Sequence, residues 1–72
     1  MVKNRPTEVI ARLDRKLACA FSYLASIDRS GEALRVYERW SDDRWRMLVE
    51  LLELMALSGV PQAHIDSVHG VL

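Results

Sequence analysis

The chain has 72 residues, a formal net charge of zero at pH 7 and one cysteine, Cys19. Half of the residues are hydrophobic and 28% are charged, a composition typical of a folded globular domain rather than a disordered chain. A single cysteine excludes an internal disulfide, and the zero net charge excludes a strong overall field that would steer the molecule to nucleic acid. We therefore expect residues 1–72 to form one domain.

The first residues, 1–6, lack the apolar stretch of a signal peptide, and no apolar run approaches the roughly 20 residues of a membrane span. A free cysteine without an export signal favours a cytoplasmic location. A core this small seldom supplies more than about 3–5 kcal/mol of stability. Since neither a disulfide nor a cluster with zinc spacing is available to add to it, we expect a homodimer.

The first long segment with helical periodicity covers residues 6–28. Pro6 suits the first turn of a helix, where a backbone N–H is not needed. Apolar residues then recur in alternating steps of three and four, the heptad pattern of a helix packed along one seam. They are Ile10, Leu13, Leu17, Ala20, Leu24 and Ile27, widened by Phe21.

Turn-forming residues at 28–31 interrupt the periodicity, and a short helix is predicted over about 32–40. Ser41 resembles an N-cap for a second long helix over about 42–58, in which the apolar seam resumes. Gly59 is expected to end that helix as a left-handed cap, and a last short helix is predicted over about 61–69. The sequence thus predicts an all-α antiparallel hairpin or bundle of two long and two short helices.

Eight apolar residues make up the candidate seam for the core or for a dimer interface. They are Ile10, Leu13, Leu17, Phe21, Leu24, Leu48, Leu52 and Met55. The sequence alone leaves both roles open, because an apolar helix stripe packs equally well inside one chain or between two.

No residues with the spacing of a catalytic or metal site are found. Cys19 is flanked by apolar residues without a nearby base and is interpreted as a small packing residue. His64 and His69 are five residues apart, whereas helical metal ligands prefer three or four. The acidic residues fall on polar helix faces without a cleft to raise a pKa. We therefore expect no enzyme activity, no cofactor and no metal.

Aromatic residues and arginines alternate between residues 35 and 46. Trp, Tyr and Arg dominate the binding energy of protein interfaces, so this stretch is the candidate protein-binding patch. Its proposed members are Tyr37, Arg39, Trp40, Arg44 and Trp45. Aromatic residues at helical spacing also commonly form core, and a dimer interface is a further alternative.

The segment 56–68 carries a glycine, Gly59, followed by apolar Val60 and by Ile65 and Val68 six and nine residues after the glycine. In this it resembles the helix-turn-helix of phage-repressor-like (Xre-type) DNA-binding proteins. The resemblance implies a recognition helix that enters the major groove. By that resemblance the DNA-facing residues are Gln62, Ala63, His64 and Ser67. The same glycine is also explained by an ordinary helix stop and restart.

The leading hypothesis from sequence is a small non-enzymatic regulator that binds another protein through an amphipathic helical surface and inhibits it. Short chains without an active site are typical of phage- or plasmid-encoded inhibitors and anti-activators, an analogy of class only. The alternative is a helix-turn-helix transcriptional repressor. The segment 62–68 contains no Lys or Arg and includes Asp66, which would face phosphate, so DNA ranks second.

Overall fold

The computed structural model describes the backbone of residues 5–70 and the side chains of residues 10–70. This part of the chain forms four α-helices and contains no strand, which confirms the predicted all-α class. The helices are α1 (Arg5–Ser26), α2 (Ser30–Arg39), α3 (Arg44–Leu57) and α4 (Gln62–His69). Each boundary lies within two residues of the one predicted from the sequence. None of these helices is long and apolar enough to cross a lipid bilayer.

The end of α1 is fixed by a left-handed residue, Asp28, with φ of 63°. The Arg29 N–H donates to the Leu24 carbonyl at 2.7 Å, and the Asp28 N–H donates to the Ala25 carbonyl at 3.1 Å. This pair of bonds is the Schellman motif, which satisfies carbonyls that the helix itself leaves free. The helix therefore ends at Ser26, two residues before the predicted end.

The start of α3 differs from the sequence prediction in its capping residue. Asp43, not Ser41, is the N-cap, because the Asp43 carboxylate accepts a hydrogen bond from the Arg46 N–H at 3.0 Å. Ser41 lies inside the preceding turn, which the Asp43 N–H closes by donating to the Trp40 carbonyl at 2.9 Å. A capping side chain must sit two or three residues before the N–H it bonds, and only Asp43 has that position.

The end of α3 follows the prediction. Gly59 has φ of 83°, in the left-handed region that favours glycine. The Val60 N–H donates to the Met55 carbonyl at 3.0 Å and the Gly59 N–H donates to the Ala56 carbonyl at 3.2 Å, a second Schellman motif. Val60 and Met55 are both buried, so the apolar contact that accompanies this motif is part of the core.

One hydrophobic cluster joins all four helices. Its buried members are Leu17, Ala20, Leu24, Ala33, Val36, Met47, Leu48, Leu51, Met55, Val60, Ile65 and Val68. None of the described side chains that are buried is polar or charged. Burying a residue of the size of leucine contributes about 1.5–3 kcal/mol, so this cluster is the main source of stability.

Helix α1 packs against α2, α3 and α4, and α3 also packs against α2 and α4, whereas α2 and α4 share no contact within residues 5–70. Only four residues, 40–43, join α2 to α3, so the end of α2 lies beside the start of α3. The predicted hairpin of the two long helices and the predicted homodimer both stay predictions.

Candidate functional site

The five residues of the predicted protein-binding patch do not contact one another through any hydrogen bond, ion pair or ring contact within residues 10–70. Tyr37 is 48% exposed, and its ring meets the edge of Phe21 on α1 at a centroid distance of 6.5 Å. Edge-to-face aromatic pairs of this kind stabilise packing by about 0.5–1.5 kcal/mol. Tyr37 therefore helps to fix α2 on α1 while keeping half of its surface in solvent.

Trp40 is half-buried in the turn between α2 and α3 and packs against the core. The Arg46 guanidinium lies 5.1 Å from the centroid of its ring, a cation–π contact. The indole Nε1 is fully buried and has no hydrogen-bond acceptor. Leaving such a donor unpaired costs about 1–3 kcal/mol, which offsets part of the stability that the packing of Trp40 against the core contributes.

The arginines of the predicted patch have acidic partners inside the chain. Arg39 Nη1 lies 2.9 Å from Glu50 Oε1, and Arg46 Nε lies 3.8 Å from the other oxygen of the same carboxylate. Arg44 Nε lies 2.8 Å from Asp14 Oδ1, which joins the start of α3 to α1. These pairs are exposed, so each contributes only about 0–1 kcal/mol to stability.

Trp45 differs from the other patch residues because its side chain takes part in no hydrogen bond or ring contact among residues 10–70. It is 62% exposed at the start of α3. Val49 and Leu52 follow at spacings of four and seven residues, which places them on the same side of the helix, and both are half-buried. Trp45, Val49 and Leu52 are called the Trp45 face below. The helical spacing of these three residues can be read from the sequence, but their exposure cannot, because it depends on which side of α3 the other helices cover.

Most of the predicted seam forms the interior of the single chain. Leu17, Leu24, Leu48 and Met55 are buried, and Leu13, Phe21 and Leu52 are half-buried against them. Ile10 is the exception, with 42% of its surface exposed. The fully buried seam residues are therefore not available to a second copy unless the fold rearranges.

The segment 56–68, whose sequence resembles a helix-turn-helix, contains both buried and exposed residues. Val60, Ile65 and Val68 are buried. The four residues proposed to face DNA are exposed, namely Gln62, Ala63, His64 and Ser67. Two of the four already have neighbours: the His64 ring stacks on Tyr23 at 4.9 Å, and Gln62 Nε2 donates to Asp66 Oδ1 at 3.0 Å.

A shallow groove of about 280 Å³ lies along the contact between α2 and α3 and was not predicted from the sequence. Its lining residues are Glu32, Arg35, Val36 and Arg39 from α2 and Glu50, Glu53, Leu54 and Leu57 from α3. This feature is called the α2–α3 groove below. Leu57, at one end, is 87% exposed, the highest value among the large hydrophobic residues of the described chain. The groove is therefore lined by both apolar and charged side chains, and the charged side chains of each helix are called its rim below.

Cys19, the only thiol, is half-buried and packs against the core beside other apolar residues of α1. Within the described part of the chain, no three His, Cys, Asp or Glu side chains lie close enough together to hold a metal ion. Comparisons with protein-family models, with curated proteins and with solved structures gave no match.

Proposed function

We propose that this chain is a small non-enzymatic regulatory protein that binds another protein through the Trp45 face and inhibits it. The observation that supports this proposal is the 62% exposure of Trp45 beside two half-buried aliphatic residues on the same side of α3. A tryptophan that packs only against its own chain is normally covered much more completely.

The size of the exposed indole makes it a suitable anchor for a partner. A tryptophan side chain buries about 150–250 Å² when it is fully covered, so covering the exposed part of Trp45 removes on the order of 100 Å² from water. At about 25 cal/mol per Å², this area corresponds to roughly 3 kcal/mol. That value is in the range of an interface hot spot, whose loss costs about 2 kcal/mol or more.

The chemistry of the Trp45 face also restricts the kind of partner. An apolar row along one helix is recognised by a hydrophobic groove or by the apolar stripe of another helix. Arg44 directly precedes Trp45 at the start of this row, and its side chain is 48% exposed although it pairs with Asp14. A partner with an apolar cleft and an acidic rim would therefore fit the Trp45 face.

Affinity purification from cells of the source organism tests this proposal. The wild-type chain is compared with Trp45→Ala and with Leu34→Ala, a matched control because Leu34 is 52% exposed but lies on α2. We expect a protein that is retained by the wild type and by Leu34→Ala and is lost with Trp45→Ala. The activity of that purified protein should fall when the wild-type chain is added and should not change with Trp45→Ala.

A retained protein that binds all three variants equally would contradict the proposed surface. A partner that binds through Trp45 but keeps its full activity would contradict the inhibitory role, and it would still support the Trp45 face as the binding surface. Far-UV circular dichroism of each variant verifies that the helical fold is preserved, since Trp45 and Leu34 both lie outside the buried core.

A second candidate function is operator binding by a helix-turn-helix repressor. The observation that favours it is the burial of Val60, Ile65 and Val68 while the other side of α4 stays exposed. Fluorescence anisotropy with mixed duplex DNA tests it. If DNA is the ligand, affinity should be measurable at about 50 mM salt and should decrease steeply by about 200 mM, as phosphate contacts require. This candidate ranks second because His64 and Gln62, two of its four proposed DNA-facing residues, already have contacts within the chain.

A further inference from the structure

The α2–α3 groove is a second surface, distinct from the Trp45 face, and its charges differ from rim to rim. The α2 rim carries Arg35 and Arg39 together with one acid, Glu32, and the α3 rim carries Glu50 and Glu53. Val36, Leu54 and Leu57 are the apolar lining residues. A surface with one basic and one acidic rim is complementary to a copy of itself after rotation by 180°, because the rotation places each rim on the opposite one.

Three of the five charged residues that line the groove have an ion-pair partner within the chain, and two have none among residues 10–70. Arg39 pairs with Glu50, and Glu32, at the other end of the groove, pairs with Arg29. Arg35 and Glu53 have no ion-pair partner within residues 10–70. The unpaired charges that remain on the two rims are therefore of opposite sign.

The positions of Arg35 and Glu53 match what a two-fold axis requires. The groove extends over residues 32–39 of α2 and 50–57 of α3, and each of the two residues lies within one position of the middle of its stretch. With a rise of about 1.5 Å per residue, both lie within about 1 Å of the groove's midpoint along the helices. A two-fold axis that runs along the groove, in the plane of the interface, exchanges the two rims and keeps each residue at its own level, so it brings Arg35 of one copy to Glu53 of the other, twice.

We infer that the α2–α3 groove is the interface of a symmetric homodimer, with Arg35 of each copy paired with Glu53 of its partner. The same rotation lays the 87% exposed Leu57 of each copy against the α2 rim of the other, which removes part of this side chain from solvent. A standard interface covers about 800 Å² of each partner, roughly a sixth of this chain's surface of 4770 Å². This inference does not depend on the proposed function, because the groove lining and the Trp45 face share no residue.

Charge reversal tests the pairing directly, with oligomeric state measured by analytical ultracentrifugation. Arg35→Glu alone and Glu53→Arg alone each place like charges opposite each other at both contacts, so we expect the dimer dissociation constant to rise at least tenfold. The double variant Arg35→Glu/Glu53→Arg restores two opposite-charge contacts and should return to a dimer. An equimolar mixture of the two single variants should form a heterodimer, since each contact then joins Glu to Arg.

The matched control is Arg15→Glu, which makes the same change in charge at an exposed residue of α1 outside the groove. This variant should dimerise like the wild type, and circular dichroism should show full helicity in every variant. A wild-type chain that is monomeric at millimolar concentration overturns the inference. A dimer whose dissociation constant is unchanged by both single reversals also overturns it. The same holds if the single reversals weaken the dimer but the equimolar mixture of the two variants forms no heterodimer.

Discussion

Leu24 and Ile10 occupy the same heptad position two repeats apart on α1, yet Leu24 has none of its surface exposed and Ile10 has 42%. Replacing each by alanine therefore compares the stability lost at a core residue with the stability lost at an edge residue in the same heptad position. Leu24→Ala removes a fully buried side chain and leaves a cavity among Leu17, Leu51 and other core residues. Substitutions of this kind cost about 2–5 kcal/mol in the free energy of unfolding.

Ile10→Ala removes a side chain that already meets solvent, so less transfer free energy is lost and no closed cavity forms. Alanine also favours the helix by up to about 0.7 kcal/mol, which offsets part of the loss. We expect a cost below about 1 kcal/mol. Because a core this small seldom supplies more than about 3–5 kcal/mol of stability, Leu24→Ala removes much of the stability and Ile10→Ala removes little.

The measurement is urea unfolding followed by far-UV circular dichroism, repeated at two protein concentrations because dimerisation makes the midpoint concentration-dependent. The midpoint of Leu24→Ala should be far below that of the wild type, and the midpoint of Ile10→Ala should nearly coincide with it. Equal losses for the two variants would refute the assignment of Leu24 to the core and Ile10 to its edge. A loss for Ile10→Ala that appears only at high protein concentration would instead place Ile10 in a contact between copies.

Three further outcomes follow from the helix ends and the tryptophans. Asp43→Ala removes the N-cap of α3 and should lower the free energy of unfolding by about 1 kcal/mol in the same urea assay; an unchanged midpoint would contradict that capping role. Gly59→Ala should lower the free energy of unfolding by about 1 kcal/mol or more because alanine is strained at a φ of 83°, although no atom crowds the added methyl group. Gly31→Ala, inside α2, should instead raise it by roughly 0.5–1 kcal/mol. A change of the same sign in both variants would contradict this dependence on backbone conformation. Trp45→Phe should abolish most acrylamide quenching of the fluorescence, since the remaining Trp40 is packed against the core, and strong residual quenching would show that Trp40 is accessible.

The helices themselves were predictable because apolar spacing of three and four residues is a strong signal over segments as long as α1 and α3. Gly59 was also predictable, since glycine is the common left-handed residue after a helix. Asp28 was not predicted to be left-handed because aspartate adopts that conformation only occasionally, and here the bond from the Arg29 N–H to the Leu24 carbonyl holds it. Ser41 and Asp43 are both good capping residues, and only the turn at Trp40 decides between them.

The functional surfaces were less predictable because their exposure depends on packing between helices. Trp40 and Trp45 are equivalent as residue types, but one is covered by Arg46 and the core while the other points to solvent. The α2–α3 groove depends on which side of each helix meets its neighbour, and this information comes from tertiary contacts rather than from periodicity. Both surfaces therefore depend on how α2, α3 and the turn between them are arranged in the folded chain.

The position of α4 has a consequence for the order in which the native chain opens. This eight-residue helix is too short to persist alone in water, and it is held by Ile65 and Val68 and by the stack of His64 on Tyr23. Because α4 does not contact α2, it can detach while α1, α2 and α3 keep their mutual contacts. We therefore expect the backbone amides of α4 to exchange with solvent through a local opening, and those in the middle of α1 and α3 to exchange only when the whole domain unfolds.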